Sequence, residues 1–409
     1  MLEHIVIENF KSLKKVDLRL GAMNLFIGTN ASGKSNFFDA LRLLQGIGNG
    51  FTISEILDGK PKGPTSEVWD AIRGGSAKAC FAGAGPAAAE VCINVAGHLP
   101  GKTRRAWDYL VAFSPEAGKV TRERLRVDGE VYDSEPASPT SAGDLVLKVR
   151  YFQGGKGNQR RLPFESHRPV LTQMARRNGD AGIKKAHAEA AAEVARLLAN
   201  VQRLDPSPQV LRSYSQAHQI GRMGERGENF AALIRTIGKD AEAKDAYLSW
   251  LKQLRPTELD DVGTLAGAVG EPMFMLVEGG RTYPAPVLSD GTLRFAAIAA
   301  AFFQPDMPGV MTIEEIENGI HANRVRLLVE LLRSQAAQGS TQIMATTHSP
   351  IVLAWLQPTE YGTTFFCKRD EETGESMICP LPQVPHFMDV VQKQPISDLF
   401  AEGWLETAL

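Results

Sequence analysis

Gly28-Thr29-Asn30-Ala31-Ser32-Gly33-Lys34-Ser35 decides the fold of this 409-residue chain. The octet satisfies G-x-x-x-x-G-K-[ST], a spacing that wraps backbone N–H groups around phosphate oxygens. An apolar run, Leu25-Phe26-Ile27, precedes it and reads as a buried strand. Asn36-Phe37-Phe38-Asp39-Ala40-Leu41-Arg42-Leu43-Leu44 follows and reads as a helix. Glycines let the chain turn close to an anion, and the helix start adds the positive end of its dipole. Lys34 then reaches the β- and γ-phosphates, and the Ser35 hydroxyl takes Mg²⁺. A nucleoside triphosphate held by residues 28–36 is the first expectation.

Composition bounds the rest. The length suggests two or three domains, or one large domain with an insertion. A hydrophobic content of 43% is enough for a sizeable core. A formal charge of −2 argues against an overall basic coat but leaves room for local basic patches. Cys80, Cys92, Cys367 and Cys379 lack paired ligand spacing, which predicts free thiols in a reducing cytoplasm. No apolar run approaches the length needed to cross a bilayer, and Met1–Ile7 has a strand pattern, unlike a signal peptide.

Strand patterns at Ile5–Ile7, Val16–Leu20 and Leu25–Ile27 lead into the loop and its helix. Between residues 79 and 150, short β-like runs separated by turn signals predict an antiparallel meander. Lys184–Asn200, Asn229–Ile237 and Asp245–Leu254 predict an inserted helical subdomain, too short in heptads for a coiled-coil arm. Beyond it come a hairpin at Glu278-Gly279-Gly280, a helix over Thr292–Phe303, a strand over Val310–Ile313, a helix over Ala322–Arg333, a strand over Gln342–Thr346, and a tail. The expected fold is α/β with a mainly parallel core sheet, divided into an N-terminal lobe (1–165), a helical insert (166–265) and a C-terminal lobe (266–409).

Three further motifs lie downstream. Leu288-Ser289-Asp290-Gly291-Thr292 opens an apolar helix, with Ser289 as its cap. Val310-Met311-Thr312-Ile313-Glu314-Glu315 is a strand ending in two carboxylates, suited to a Mg²⁺-associated group (Glu314) and a general base (Glu315). Thr346-Thr347-His348-Ser349-Pro350 puts His348 at a strand's carboxyl end, within reach of a γ-phosphate. Taken singly, each has a plainer reading: a capped core helix, a solvated acid pair, a structural histidine.

Their order is that of the ABC-type ATPases. Within that family the chain resembles the RecF/SMC branch and stand-alone, overcoming-lysogenisation-like AAA-family ATPases. The resemblance covers roughly 1–45 and 270–352, including Ile7-Glu8-Asn9-Phe10-Lys11-Ser12 and Ile313-Glu314-Glu315-Ile316-Glu317-Asn318-Gly319-Ile320-His321. It implies a P-loop ATPase head that closes head to tail on a second copy around ATP and Mg²⁺. Lys34 and Ser35 of one chain would face the signature Ser289, Asp290, Gly291 and Thr292 of the other. Glu314 takes the metal-associated position, Glu315 the base, Glu317-Asn318 the interface-crossing loop and His348 the switch histidine. By the same resemblance Lys11, in Asn-Phe-Lys-Ser, is a candidate contact to nucleotide phosphate. Two departures stand out: Glu314 replaces the usual Asp, and Ile316 stands where Pro is common. Gln153 and Gln173 are candidates for the glutamine loop.

The expected function is an ATP-hydrolysing, ATP-dependent homodimer in DNA repair or anti-phage defence, acting on DNA or an effector nuclease or toxin. The alternative is a slowly hydrolysing scaffold or sensor that regulates such a partner. Gly101–Arg105, Arg160-Arg161 and Arg176-Arg177 are candidate DNA-phosphate contacts, although acidic residues balance them overall. The long separation of Lys34 from Ser289 argues against a transporter ATPase. Without Cys-x-x-Cys a zinc-hook arm is not expected, and no acidic cluster after His348 suggests a nuclease domain.

Overall fold

The computed structural model describes residues 1–60, 69–82, 90–101, 103–134, 146–152, 159–177, 183–216, 220–254 and 259–409, with backbone alone for 146–152 and 159–161. Strands β1 (Leu2–Phe10), β2 (Leu13–Arg19) and β3 (Met23–Ile27) lead into helix α1 (Lys34–Asn49) and α2 (Ile53–Asp58). A strand series follows: β4 (Val91–Leu99), β5 (Arg105–Ser114), β6 (Lys119–Val127), β7 (Glu130–Ser134), β8 (Val146–Phe152) and β9 (Gln159–Glu165). Next are α3 (Val170–Arg176), α4 (Lys185–Ala199), β10 (Val201–Leu204), α5 (Pro208–Leu211), α6 (Phe230–Ile237) and α7 (Ala241–Leu254). Strands β11 (Leu259–Ala266), β12 (Pro272–Glu278) and β13 (Arg281–Pro284) precede α8 (Asp290–Ala300), β14 (Val310–Ile313), α9 (Ala322–Ala337), β15 (Gln342–Thr347) and α10 (Pro350–Leu353). The chain ends with β16 (Thr364–Arg369), β17 (Ser376–Pro380), α11 (Phe387–Val390), α12 (Ile396–Ala401) and α13 (Trp404–Thr407).

Two compact units share this chain. The first comprises residues 1–21, 28–201 and 365–380. Its sheet runs β2-β1-β4-β5-β6-β7-β8-β9, every neighbouring pair antiparallel. The expected meander thus includes the two N-terminal strands. Strand β4 shows the period-two pattern of a sheet with one face covered: Val91, Ile93, Val95 and Leu99 are buried on one face, with intermediate residues between them. Helix α2 starts on a reciprocal Thr52–Glu55 capping box, and Gly50 ends α1 in the left-handed conformation.

The second unit comprises residues 22–27, 202–364 and 381–409. Its sheet runs β10-β14-β15-β3, with β14, β15 and β3 parallel. The register sets Ile313 beside Ala345, and Thr347 beside Ile27. The carboxyl ends of these three strands, where open α/β sheets take ligands, therefore carry Glu314, His348 and the entry to Gly28. A separate antiparallel sheet, β11-β12-β13, turns at Gly279 and Gly280, both with positive φ. The stretch 166–265 holds β10 and most of β11 as well as helices, and it passes from one unit to the other after Val201. The tail contains the β16–β17 hairpin and short helices. Among the described residues no helix is long and apolar enough to cross a membrane.

Candidate nucleotide site

In the first unit, residues 28–33 form a tight loop before α1. Gly28 and Gly33 have φ of 147° and 105°, and Ala31 sits at 64°. Side chains are excluded at both glycines: a Cβ on Gly28 would lie 2.2 Å from the Cys367 carbonyl oxygen, and one on Gly33 2.4 Å from Ser376 Oγ. Lys34 is buried and folds over its own loop, its Nζ donating to the carbonyls of Gly28 (2.6 Å) and Thr29 (2.7 Å). Ser32 Oγ lies 3.4 Å from the same ammonium. Among the described residues, the N–H groups of Asn30, Ala31 and Gly33 donate to no protein acceptor. These donors, the ammonium and the start of α1 fit a polyphosphate; Ser35, in the first turn of α1, is the residue that would offer a hydroxyl to Mg²⁺.

Neighbouring side chains brace this loop. Asn36 Nδ2 donates to Ser12 Oγ at 2.6 Å, which lies 2.7 Å from Ser376 Oγ. The N–H of Ser376 also donates to the Ser12 carbonyl at 2.7 Å. Lys11 is engaged elsewhere. It is nearly buried, with Nζ 2.5 Å from Asp39 Oδ2, and Arg73 reaches the same oxygen at 3.3 Å. Burial lowers the Lys11 ammonium pKa, and the bond to Asp39 opposes that shift. A phosphate contact from Lys11 therefore requires opening this pair. Gln173 ties α3 to the preceding turn through Glu165 and Arg168, whereas Gln153 lies outside the described residues.

The second unit carries the carboxylates. Glu315 has φ of 47°, and its N–H donates to Thr346 Oγ1 at 2.9 Å. Ile316 donates its N–H to the Thr346 carbonyl at 3.1 Å, a bond that the usual Pro could not make. Arg294 holds the turn from α8, donating to the carbonyls of Glu314 (3.1 Å) and Glu315 (3.4 Å). Glu314 Oε1 lies 2.9 Å from Arg203 Nη2. His348 Nδ1 lies 3.9 Å from Glu315 Oε1 and 3.5 Å from Glu317 Oε1, and its backbone N–H donates to the latter at 3.0 Å. Thus Glu315, Glu317 and His348 lie together just beyond the carboxyl ends of β14 and β15.

The α8 start lies in the same unit. Ser289 caps the helix by accepting from the Thr292 N–H, and its Oγ lies 2.8 Å from Thr292 Oγ1. Thr292 is buried, so it supports the cap from inside. Asp290 pairs with Arg212 at 2.5 Å. Gly291 must lack a side chain, since a Cβ would meet the Gly319 carbonyl oxygen at 2.5 Å. Ser289, Asp290 and Gly291 line an open cleft of about 640 Å³ with Gly319, His321, Asn323 and Arg324.

The candidate DNA contacts are partly engaged within the protein. Arg104 pairs with Glu3 at 2.8 Å and Arg105 with Glu193. Arg177 stacks on Phe164, 4.4 Å from the ring centre. Lys102 lies outside the described residues, and Arg160 and Arg161 are described by backbone alone.

The phosphate loop, the strand followed by two acids and the Ser289-capped helix belong to an ABC/SMC-like ATPase domain. Residues 125–354, more than half of the chain, match the family described as "AAA domain, putative AbiEii toxin, Type IV TA system", and the chain belongs to that family. Residues 1–56 match the AAA ATPase domain family. No curated protein matches the chain. Among solved structures, the Smc head domain with an extended coiled coil from Pyrococcus furiosus, bound to the C-terminal domain of ScpA, is 12% identical; the match covers 96% of this chain and 99% of that one, with a TM-score of 0.51. The SMC head domain from Thermotoga maritima is 14% identical over 93% and 98% of the two chains, with a TM-score of 0.44. The likeness to the Pyrococcus furiosus head is one of fold.

Proposed function

We propose that this ATPase binds ATP with Mg²⁺ in the cytoplasm, hydrolyses it, and does so as a homodimer in which each copy completes the other's site. Lys34 and the backbone of 28–36 hold the phosphates, Ser35 and Glu314 hold the metal, and the partner's Ser289 and Gly291 close over the nucleotide. Bound Mg²⁺ would neutralise phosphate charge. Glu315 takes a proton from the attacking water, and His348 donates to the γ-phosphate. The observation that carries this reading is the phosphate loop before α1, whose N–H groups at Asn30, Ala31 and Gly33 donate to no protein acceptor among the described residues and whose carbonyls at Gly28 and Thr29 hold the Lys34 ammonium. The open cleft at Ser289–Gly291 supports the partner's role.

For the biological role we propose anti-phage defence through an effector protein ahead of DNA repair. The description of the matched family, which names a toxin of a type IV toxin–antitoxin system, favours that order. The arginines engaged with Glu3, Glu193 and Phe164 lend DNA binding less support. The stretch 166–265 is the segment proposed to pass ATP-driven change to the partner. Steady-state ATP turnover of wild type and Glu315→Gln tests the core of the reading. A fall of about a hundred-fold or more is expected on loss of a general base. Equal rates reject Glu315 as that base.

A further inference from the structure

Glu314 is longer by one methylene than the Asp usual at its position, and the extra reach is used. Strand β10 lies beside β14 in the second unit's sheet. From it, Arg203 sends Nη2 to within 2.9 Å of Glu314 Oε1 and Nη1 to within 3.3 Å of Glu225 Oε1. The Glu314 side chain is 18% exposed, Arg203 33% and Glu225 39%. Arg203 Nε is buried and has no acceptor among the described residues, so the guanidinium is positioned through its two terminal nitrogens. Two acids thus share one cation, and one of them ends the strand that carries the proposed base.

We infer that Arg203 is a counter-charge that sets how tightly Glu314 takes a divalent cation, with Glu225 drawing it off. The inference rests on the proposed reading of Glu314 as the metal-associated carboxylate. A carboxylate oxygen that accepts from a guanidinium has one lone pair committed and part of its charge neutralised. A cation approaching that oxygen also meets a like charge, and in a partly buried setting this repulsion is only partly screened. Metal binding at Glu314 is therefore weak while Arg203 is in place, and strengthens when Arg203 turns towards Glu225. Arg203 is a positioning residue: it acts on the metal through Glu314.

The test is Mn²⁺ binding, followed by electron paramagnetic resonance of the free ion, to the full chain carrying Glu315→Gln with saturating ATP. Adding Arg203→Gln should tighten Mn²⁺ on the order of ten-fold. Arg203→Lys, which keeps the charge, should not. Glu225→Gln should weaken Mn²⁺ roughly two- to three-fold, because the neutral amide competes less for Arg203 and leaves more of its charge on Glu314. Unchanged or weaker binding in Arg203→Gln, with its melting temperature intact, overturns the inference. Should that variant fail to fold, Glu225→Gln decides, and absence of weakening there overturns it equally. Glu314→Gln separates the two levels. If it leaves Mn²⁺ affinity unchanged, the reading of Glu314 itself fails; if it weakens binding while Arg203→Gln does nothing, only the counter-charge fails.

Discussion

Glu123 is fully buried on β6, yet its carboxylate is surrounded by donors. Oε1 accepts from the hydroxyls of Tyr109 (3.0 Å) and Tyr132 (2.8 Å) and from the Leu171 N–H (2.8 Å); Oε2 accepts from the Val170 N–H (2.6 Å). One side chain thus ties three neighbouring strands to the first turn of α3. Burial pushes its pKa up from the ordinary 4.5 to about 7, against the pull of those donors. The folded value lies above the unfolded one, so between them the folded chain holds a proton that the unfolded chain has released. Glu123's contribution is therefore fully present below about 4.5 and lost as pH rises to about 7. Glu123→Gln turns an amide NH₂ towards donors and should cost about 1–3 kcal/mol. It should also remove this pH dependence. Thermal melts of both proteins from acid to neutral pH check this: the advantage of wild type should shrink as pH rises, and a constant or widening gap refutes the assignment.

At the scale of elements, α8 is tied to the turn after β14 by Arg294. This side chain is only 5% exposed and donates to the carbonyls of Pro206, Glu314 and Glu315 while pairing with Asp205. Arg294→Met keeps the volume but leaves those carbonyls without their donor, and should destabilise the fold by about 2–4 kcal/mol. Because the same turn carries the proposed base, kcat should fall more than KM rises; an unchanged kcat in the folded variant sinks this view. Arg294 sits in a helix that sequence marks as apolar, and nothing in its spacing points to Glu314. By contrast, β14 was legible to the residue, because Val310–Ile313 is a short wholly buried run between the breakers Pro308-Gly309 and the acids Glu314-Glu315. The turn at Gly279-Gly280 was legible too, since both residues need positive φ. Strand β10 was not: four residues are too few to show a period, and its neighbour β14 lies about a hundred residues away in sequence. The Ser12–Ser376 brace, like the Arg203–Glu314 pair, joins side chains that only the folded chain brings together.

For the whole molecule, the decisive question is whether the signature serves its own chain's nucleotide or a second copy's. Residue identity cannot distinguish these, since Ser289 and Lys34 are present in every chain either way. Mixing does. Lys34→Ala removes the ammonium proposed to hold phosphate, and Ser289→Arg fills the cleft beside Gly291 with a bulky cation. Each variant alone should be nearly inactive. If sites form between copies, a mixed dimer pairs the intact loop of the Ser289→Arg chain with the intact signature of the Lys34→Ala chain. One of its two sites is then complete and the other doubly defective. With random pairing half of the dimers are mixed, so an equal mixture should recover about a quarter of wild-type turnover. If each chain completes its own site, no mixture holds an intact one, and turnover stays at the level of the separate variants.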